Sequence, residues 1–246
     1  MNITSPVSGA VMDFDPTAVR SQSDATHQLG ALVQLNDDRA FRYVKAGASN
    51  ISKGKLQQAP APKANHANLP VTATAAGATT VNVTPGATAV VAGEYNEGYA
   101  VINVTPGAGQ VYKISNNPAA NASTAFNLAL LDQVLVALTT SSKLTLVHNQ
   151  YNAVVEVAAA TRRASGVPLV DVTAGYFAWA QTNGVAGVLA GTAVTVGSRL
   201  ISDGTTAGAV TDNTDVTAPQ AEVEVAKASI MAGVTGEYRP VVLCID

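Results

Sequence analysis

Aromatic side chains are scarce in this chain of 246 residues, at 5% of the sequence with a single tryptophan, Trp179. Charge is scarce as well. Asp, Glu, Lys and Arg together make up 13%, against about 25% in an ordinary soluble domain, so Ala, Thr, Ser, Asn and Gly must cover much of the surface. Such a surface has few long charged chains to immobilise, which lowers the entropy cost of packing against a partner and suits a subunit of an assembly. A formal net charge of −3 argues against a general nucleic-acid binder. One cysteine, Cys244, excludes an intrachain disulfide framework; inside VVLCI it reads as a buried thiol and not a nucleophile. No apolar run approaches the roughly 18 residues that cross a bilayer. The opening MNITSPVSGAVMDFDP lacks the charged start and apolar centre of a signal peptide. The expectation is a protein made in a cytoplasm and not secreted, in which the Asn-x-Ser/Thr triplets at Asn2, Asn50, Asn82, Asn103 and Asn121 are strand and turn chemistry.

The motifs of common chemistries are missing too. His27, His66 and His148 are far apart, and none has a neighbour at a ligand spacing, so no zinc site is expected. No GxSxG elbow positions a serine for His148 and Asp171, and His148 reads as a turn or surface residue. GAGQVY (107–112) is not GxGxxG, and no GxxxxGK[ST] is present, so a nucleotide would lack its phosphate cradle. TDNTD (211–215) alternates oxygen donors but lacks the glycine and closing glutamate of a calcium loop. The expectation is a non-enzyme with no cofactor, no metal and no catalytic residue.

What is present is repetition and alternation. Val81–Ala87 reads VNVTPGA and Ile102–Ala108 reads INVTPGA, separated by GEYNEGY, with no reactive side chain in either copy. Apolar residues recur with period two in VNV (81–83), AVINV (100–104), QVYKI (110–114), KLTLV (143–147), AVVEV (153–157) and AEVEV (221–225), which predicts strands. STAFNLALLDQVLVAL (123–138) fits a strand better than a helix. Pro85-Gly86 and Pro106-Gly107 predict type II turns with positive φ at both glycines; Asn183-Gly184 and Asp203-Gly204 predict tight hairpins. The fold expected is all-β, a sandwich or barrel of short antiparallel strands preceded by an extended N-terminal arm. Residues 1–70 form the arm and linker, with a helical turn begun by Asp15 and Pro16. Residues 71–246 form the β-rich body, which a division near 140–165 would split into two subdomains.

Between Arg39 and Lys63 the cations Arg39, Arg42, Lys45, Lys53, Lys55 and Lys63 meet no acid after Asp38 until Glu94. With Phe41 and Tyr43 among them, this stretch is the candidate contact with an acidic partner surface; a solvated loop is the alternative. In YFAWAQ (176–181) a strand would put Tyr176, Ala178 and Ala180 on one face and Phe177, Trp179 and Gln181 on the other. Tyr176, Phe177 and Trp179 are candidates for a core or subunit-interface anchor, and less so for a sugar platform.

YNEGYAVINV, GQVYKISNN, LLDQVLVALTTSSKLTLVHNQY, SGVPLVDVTAGYFAWAQTNGVAGVL and TVGSRLISDGTTAGAV, in that order, resemble a family of structural proteins of tailed bacteriophages, the capsid decoration (cement) proteins. The similarity spans roughly residues 90–210, and VALTTSSK and VPLV-VTA-YFAW-Q are its most specific parts. The chain departs from that pattern at AQTNGVAGVL, where the residues are smaller. The resemblance implies an all-β head protein without enzymatic activity that binds the major capsid protein lattice and stabilises the expanded head. It implies a homo-oligomer, most simply a trimer, on the outer capsid surface of a virion, with no direct nucleic-acid or membrane contact. Arg39, Phe41, Arg42, Tyr43, Lys45, Lys53 and Lys55 would then be the capsid contact. A tail, fibre or host-attachment component of the virion is the alternative.

Overall fold

Successive side chains of a strand point to opposite faces, and most of the alternating runs form strands. The computed structural model describes residues 21–158, 163–213 and 226–246, with the backbone of short strands at 3–4 and 11–12. In chain order the strands are β1 (Ile3–Thr4), β2 (Val11–Met12), β3 (Leu32–Gln34), β4 (Ala40–Lys45), β5 (Gln57–Gln58), β6 (Leu69–Pro70), β7 (Thr80–Val83), β8 (Tyr99–Val104) and β9 (Val111–Asn116). They continue as β10 (Phe126–Leu130), β11 (Lys143–Val147), β12 (Val155–Glu156), β13 (Ala164–Pro168), β14 (Phe177–Leu189), β15 (Leu200–Ser202), β16 (Val210–Asp212), β17 (Ala226–Ser229) and β18 (Tyr238–Cys244). One 3-10 turn, Ala64–His66, is the only helical element among the described residues. The fold is all-β and its ladders are antiparallel. The chain divides into two units: Met1–Pro60 with Gln150–Asp246, and Ala61–Asn149 between them in sequence.

In the unit 61–149 the strands run in the order β6-β11-β8-β9-β10-β7. Val71, just past β6, pairs with Val83 of β7. Thr72 N–H donates to Asn82 O and Thr84 N–H to Pro70 O, each at 3.1 Å. These bonds join the first and last strands, so that the sheet forms a nearly closed barrel. One side of each strand fills the interior, as in other small barrels: Val81, Val83, Ile102, Ile114, Leu128 and Leu144 are at most 1% exposed. Burying each of these contributes about 1.5–3 kcal/mol.

The other unit carries a ten-stranded sheet built on β14, which is 13 residues long. β4 pairs with β14 from Phe177 to Asn183, and β18 pairs with it from Asn183 to Leu189. The side chains of β14 enter separate cores, as the alternation in YFAWAQ predicts. Trp179 joins Val33, Phe41 and Tyr43; Ala178 and Ala180 join Val44, Ala46 and Ile51; Val188 joins Leu200, Val241 and Leu243.

Several expectations need correction. The extended arm does not describe residues 21–70, which supply β3, β4 and β5 to the sheet and β6 to the barrel. β4 (AFRYVK) is buried on both faces, so its sequence carries no alternation to detect. The helical turn expected from Asp15 lies outside the described residues, and 21–30 hold no helix. AEVEV (221–225) also lies outside them. Asn183-Gly184 is not a hairpin turn. It sits inside β14, beside a register shift against β4, with Gly184 at φ +81°; a glycine in that conformation bends a strand at a bulge. The two copies of VTPGA also differ. Gly107 has φ +87°, whereas Gly86 does not take the left-handed conformation expected of it. Close approach requires the glycine there instead: its N–H donates to Asn65 O at 2.8 Å, and a Cβ would lie 2.8 Å from that oxygen.

Gly184→Val should cost about 1–3 kcal/mol, because a Cβ would lie 2.9 Å from Asp38 Oδ1 and 3.1 Å from Arg39 Cα at a positive φ. Gly187→Ala, in the same strand with open space around it, should change stability by less than about 0.5 kcal/mol. Urea unfolding followed by Trp179 fluorescence checks both, and equal effects would show that the bend does not constrain the sheet.

Candidate functional site

The cations expected at a partner contact are mostly engaged within the chain. Arg39 Nη2 lies 2.6 Å from Asp37 Oδ2, Arg42 Nε 2.9 Å from Asp246 Oδ2, Lys55 Nζ 2.9 Å from Glu156 Oε2 and Lys53 Nζ 3.7 Å from Asp171 Oδ2. Lys45 Nζ sits 5.3 Å from the centre of the Phe177 ring. Most of the answering acids come from more than a hundred positions away, so counting along the chain leaves the stretch falsely unmatched. Lys55–Glu156 is partly enclosed, and Glu156 Oε1 also accepts the Ser52 N–H at 2.8 Å. Arg42 donates in addition to Gly30 O at 2.8 Å. The Arg39 hydrogen bond holds the Asp37 carboxyl below its ordinary value, but solvent screening leaves such an exposed pair little weight in stability. Phe41 and Tyr43 are fully buried. As the central pair of β4 they belong to the core, and their expected role as capsid-contact residues is corrected.

The aromatic candidates separate. Trp179 is 7% exposed, with its ring 5.1 Å from Tyr43 and 5.2 Å from His27 between centroids. Phe177 stacks on Tyr43 at 5.7 Å and is half-buried, while Tyr176 is exposed. Tyr43 Oη accepts from Gln22 Nε2 at 3.0 Å and from the Thr26 N–H at 3.1 Å, which ties residues 22–26 over the cluster. Trp179 is a core anchor here; its face does not lie open as a sugar platform.

The densest group of titratable side chains is one that sequence inspection passes over. Lys63, His66, Glu94, Tyr95 and His148 converge within the barrel unit, Glu94 and Tyr95 being supplied by GEYNEGY. His66 is buried, with Nε2 3.0 Å from Thr88 O and Nδ1 2.5 Å from Tyr95 Oη. A carbonyl only accepts, so Nε2 carries the proton and donates to Thr88 O; in the neutral ring Nδ1 then accepts the Tyr95 O–H. Tyr95 stacks on His148 at 4.4 Å. Glu94 Oε1 meets Lys63 Nζ at 2.5 Å and His148 Nε2 at 3.2 Å, and Oε2 accepts the Val91 N–H at 3.0 Å. Burial alone would raise the Glu94 carboxyl, but hydrogen bonds from His148, Lys63 and the Val91 amide overcome it and hold it at about 2. Burial, and secondarily the Glu94 charge, pushes the Tyr95 phenol well up. His148 is therefore not the surface residue its sequence context implies. The polar atoms named are each engaged by a partner inside the unit, and the cluster ties its parts together.

Among the described residues no group of three or more His, Cys, Asp or Glu side chains is placed to hold a metal ion, and no helix is long and apolar enough to cross a membrane. Comparison with protein-family models, with curated proteins and with solved structures gives no match to this chain.

The folded-state value of Glu94 lies below its ordinary 4.5, so its stabilisation is complete above that pH and is lost as pH falls through about 2. Glu94→Gln should lower stability at neutral pH by on the order of 2 kcal/mol and flatten the dependence on pH between 4.5 and 2. Urea unfolding of both proteins across that window, followed by tyrosine fluorescence, checks it; parallel pH profiles would remove Glu94 from the acid response.

Proposed function

We propose that this chain is a structural protein of a tailed-bacteriophage head, a decoration protein that seats on the outer surface of the expanded capsid and clamps neighbouring major capsid subunits. The chemistry of the free surface carries this reading. Val91, Val111, Leu131 and Leu135 in the barrel unit are more than half exposed, as are Val196, Met231 and Val234 in the other unit. The cations of 39–55, by contrast, are mostly committed to partners inside the chain. Exposed apolar side chains gain by leaving water against another protein, and a surface of short side chains loses little entropy in doing so.

The resemblance over 90–210 supports the same reading, since it takes in β8–β11 of the barrel and β13–β15 of the sheet. On a shell, affinity comes from many equivalent contacts, each of modest area, with the lattice supplying multivalency. The contact is made by apolar surface and not by residues 39–55, whose aromatic members are buried. The partners are the major capsid protein and further copies of the chain, most simply as a trimer. The copies assemble on the outside of the virion after synthesis in the host cytoplasm.

Quantitative mass spectrometry of purified particles that contain the chain, with immunogold labelling, tests the proposal. Hundreds of copies per particle, all on the head, is the expected result. A few dozen copies at the tail would replace it with the tail or fibre reading, and exclusion from particles would overturn both.

A further inference from the structure

β5 consists of two glutamines, Gln57 and Gln58, and runs between β12 and β13. Gln57 stands opposite Glu156 on one side and Gly166 on the other; Gln58 stands opposite Val155 and Ala164. Both are buried, Gln57 at 0% exposure and Gln58 at 2%. A buried amide is destabilising unless its polar atoms find hydrogen-bond partners. Among the described residues no protein atom hydrogen-bonds to Gln57 Nε2, Gln57 Oε1 or Gln58 Oε1. The polar side chains at the facing positions are engaged elsewhere. Glu156 accepts from the Ser52 N–H at 2.8 Å and from Lys55 Nζ at 2.9 Å. Ser165 Oγ donates to Gln150 O at 2.9 Å, and Gly166 has no side chain. The ladder is also interrupted at this point. Ala164 faces Gln58 and Gly166 faces Gln57, so Ser165 is an extra residue in β13 with no counterpart in β5, which makes a bulge.

We propose that Gln57 binds an internal water molecule beside the β13 bulge. The chemistry of its free groups selects that ligand. Gln57 presents an N–H donor and a carbonyl acceptor together, and water is the small molecule that accepts and donates at once. A metal cation would leave the Nε2 hydrogens unsatisfied, and an anion would leave Oε1 unsatisfied. A larger polar solute would need an opening to solvent, and Gln57 has none. One water closes a ring with the N–H and C=O of a single primary amide. A buried water makes about three hydrogen bonds, and the backbone that the bulge takes out of the ladder at Ser165 supplies the third. Gln58 points to the opposite face of the strand and is not part of the site. The water lets a side chain with two strong polar atoms lie fully inside the sheet, and the site does not rest on the virion reading.

A high-resolution crystal structure of the full chain tests it. One ordered water should lie roughly 2.7–3.2 Å from both Nε2 and Oε1 of Gln57. Gln57→Met keeps the length of the side chain without its donor and acceptor, and its structure should lack that water. Should the variant fail to fold, the parent protein decides in solution. Its Gln57 side-chain amide protons should then show cross-relaxation to water with opposite signs in NOE and ROE spectra, which marks water held far longer than surface hydration. A Gln57 amide bonded to protein atoms at both Nε2 and Oε1, no water beside it, or the same water retained in Gln57→Met overturns the proposal.

Discussion

A strand of 13 residues is more than twice the usual length, and every N–H and C=O along it needs a partner. No single neighbour of β14 is that long. The strand meets the requirement on two edges: β4 runs along one from Phe177 to Asn183, while on the other β13 pairs with Ala180 and Gln181 and β18 takes over from Asn183 to Leu189. Asn183 is the residue that β4 and β18 share. The strand is fastened there from either side: Thr182 Oγ1 donates to Asp246 Oδ2 at 2.7 Å, the Ile245 N–H donates to Thr182 O at 2.9 Å, and Arg42 reaches the same Asp246 carboxylate from β4. The positions of Phe41, Tyr43 and Trp179 follow, because β4 can bring its aromatic rings to the tryptophan only while it is paired with that half of β14.

Charge in this molecule is used sparingly and mostly inward. Lys55–Glu156 and Arg42–Asp246 are partly enclosed and carry additional hydrogen bonds, which separates them from exposed pairs of little consequence such as Lys53–Asp171. Spending cations this way leaves apolar and small polar groups to define what the outside can recognise. Contacts made by such a surface depend weakly on ionic strength, because hydrophobic association is not screened as charge attraction is.

Legibility in the sequence followed burial geometry. Strands with one face inward and one outward, such as β8, β9 and β11, alternate visibly and were expected close to where they lie. β4 and β13 are buried on both faces and carry no such signal, so the cations, prolines and glycines before residue 70 read as an arm. Asn183-Gly184 has the composition of a hairpin turn, and only the length of β14 shows that the same positive φ serves a bend within a strand. Paired side chains were the least legible. Nothing near Arg42 points to Asp246, and nothing near His148 points to Glu94, because the fold brings them together. GEYNEGY was visible as the insert between two repeats, but its role depends on residues at both ends of the barrel segment.

Those ends give the buried Glu94–Tyr95 cluster a further meaning. Lys63 and His66 come just after the chain enters the unit at Ala61, and His148 comes just before it leaves at Asn149. Glu94 holds Lys63 and His148, and Tyr95 holds His66 and His148, so one dipeptide buckles the two ends of the segment together. A module fastened in this way behaves as a cassette: to the host fold it is a short loop, whatever it contains, and closing a short loop costs little entropy.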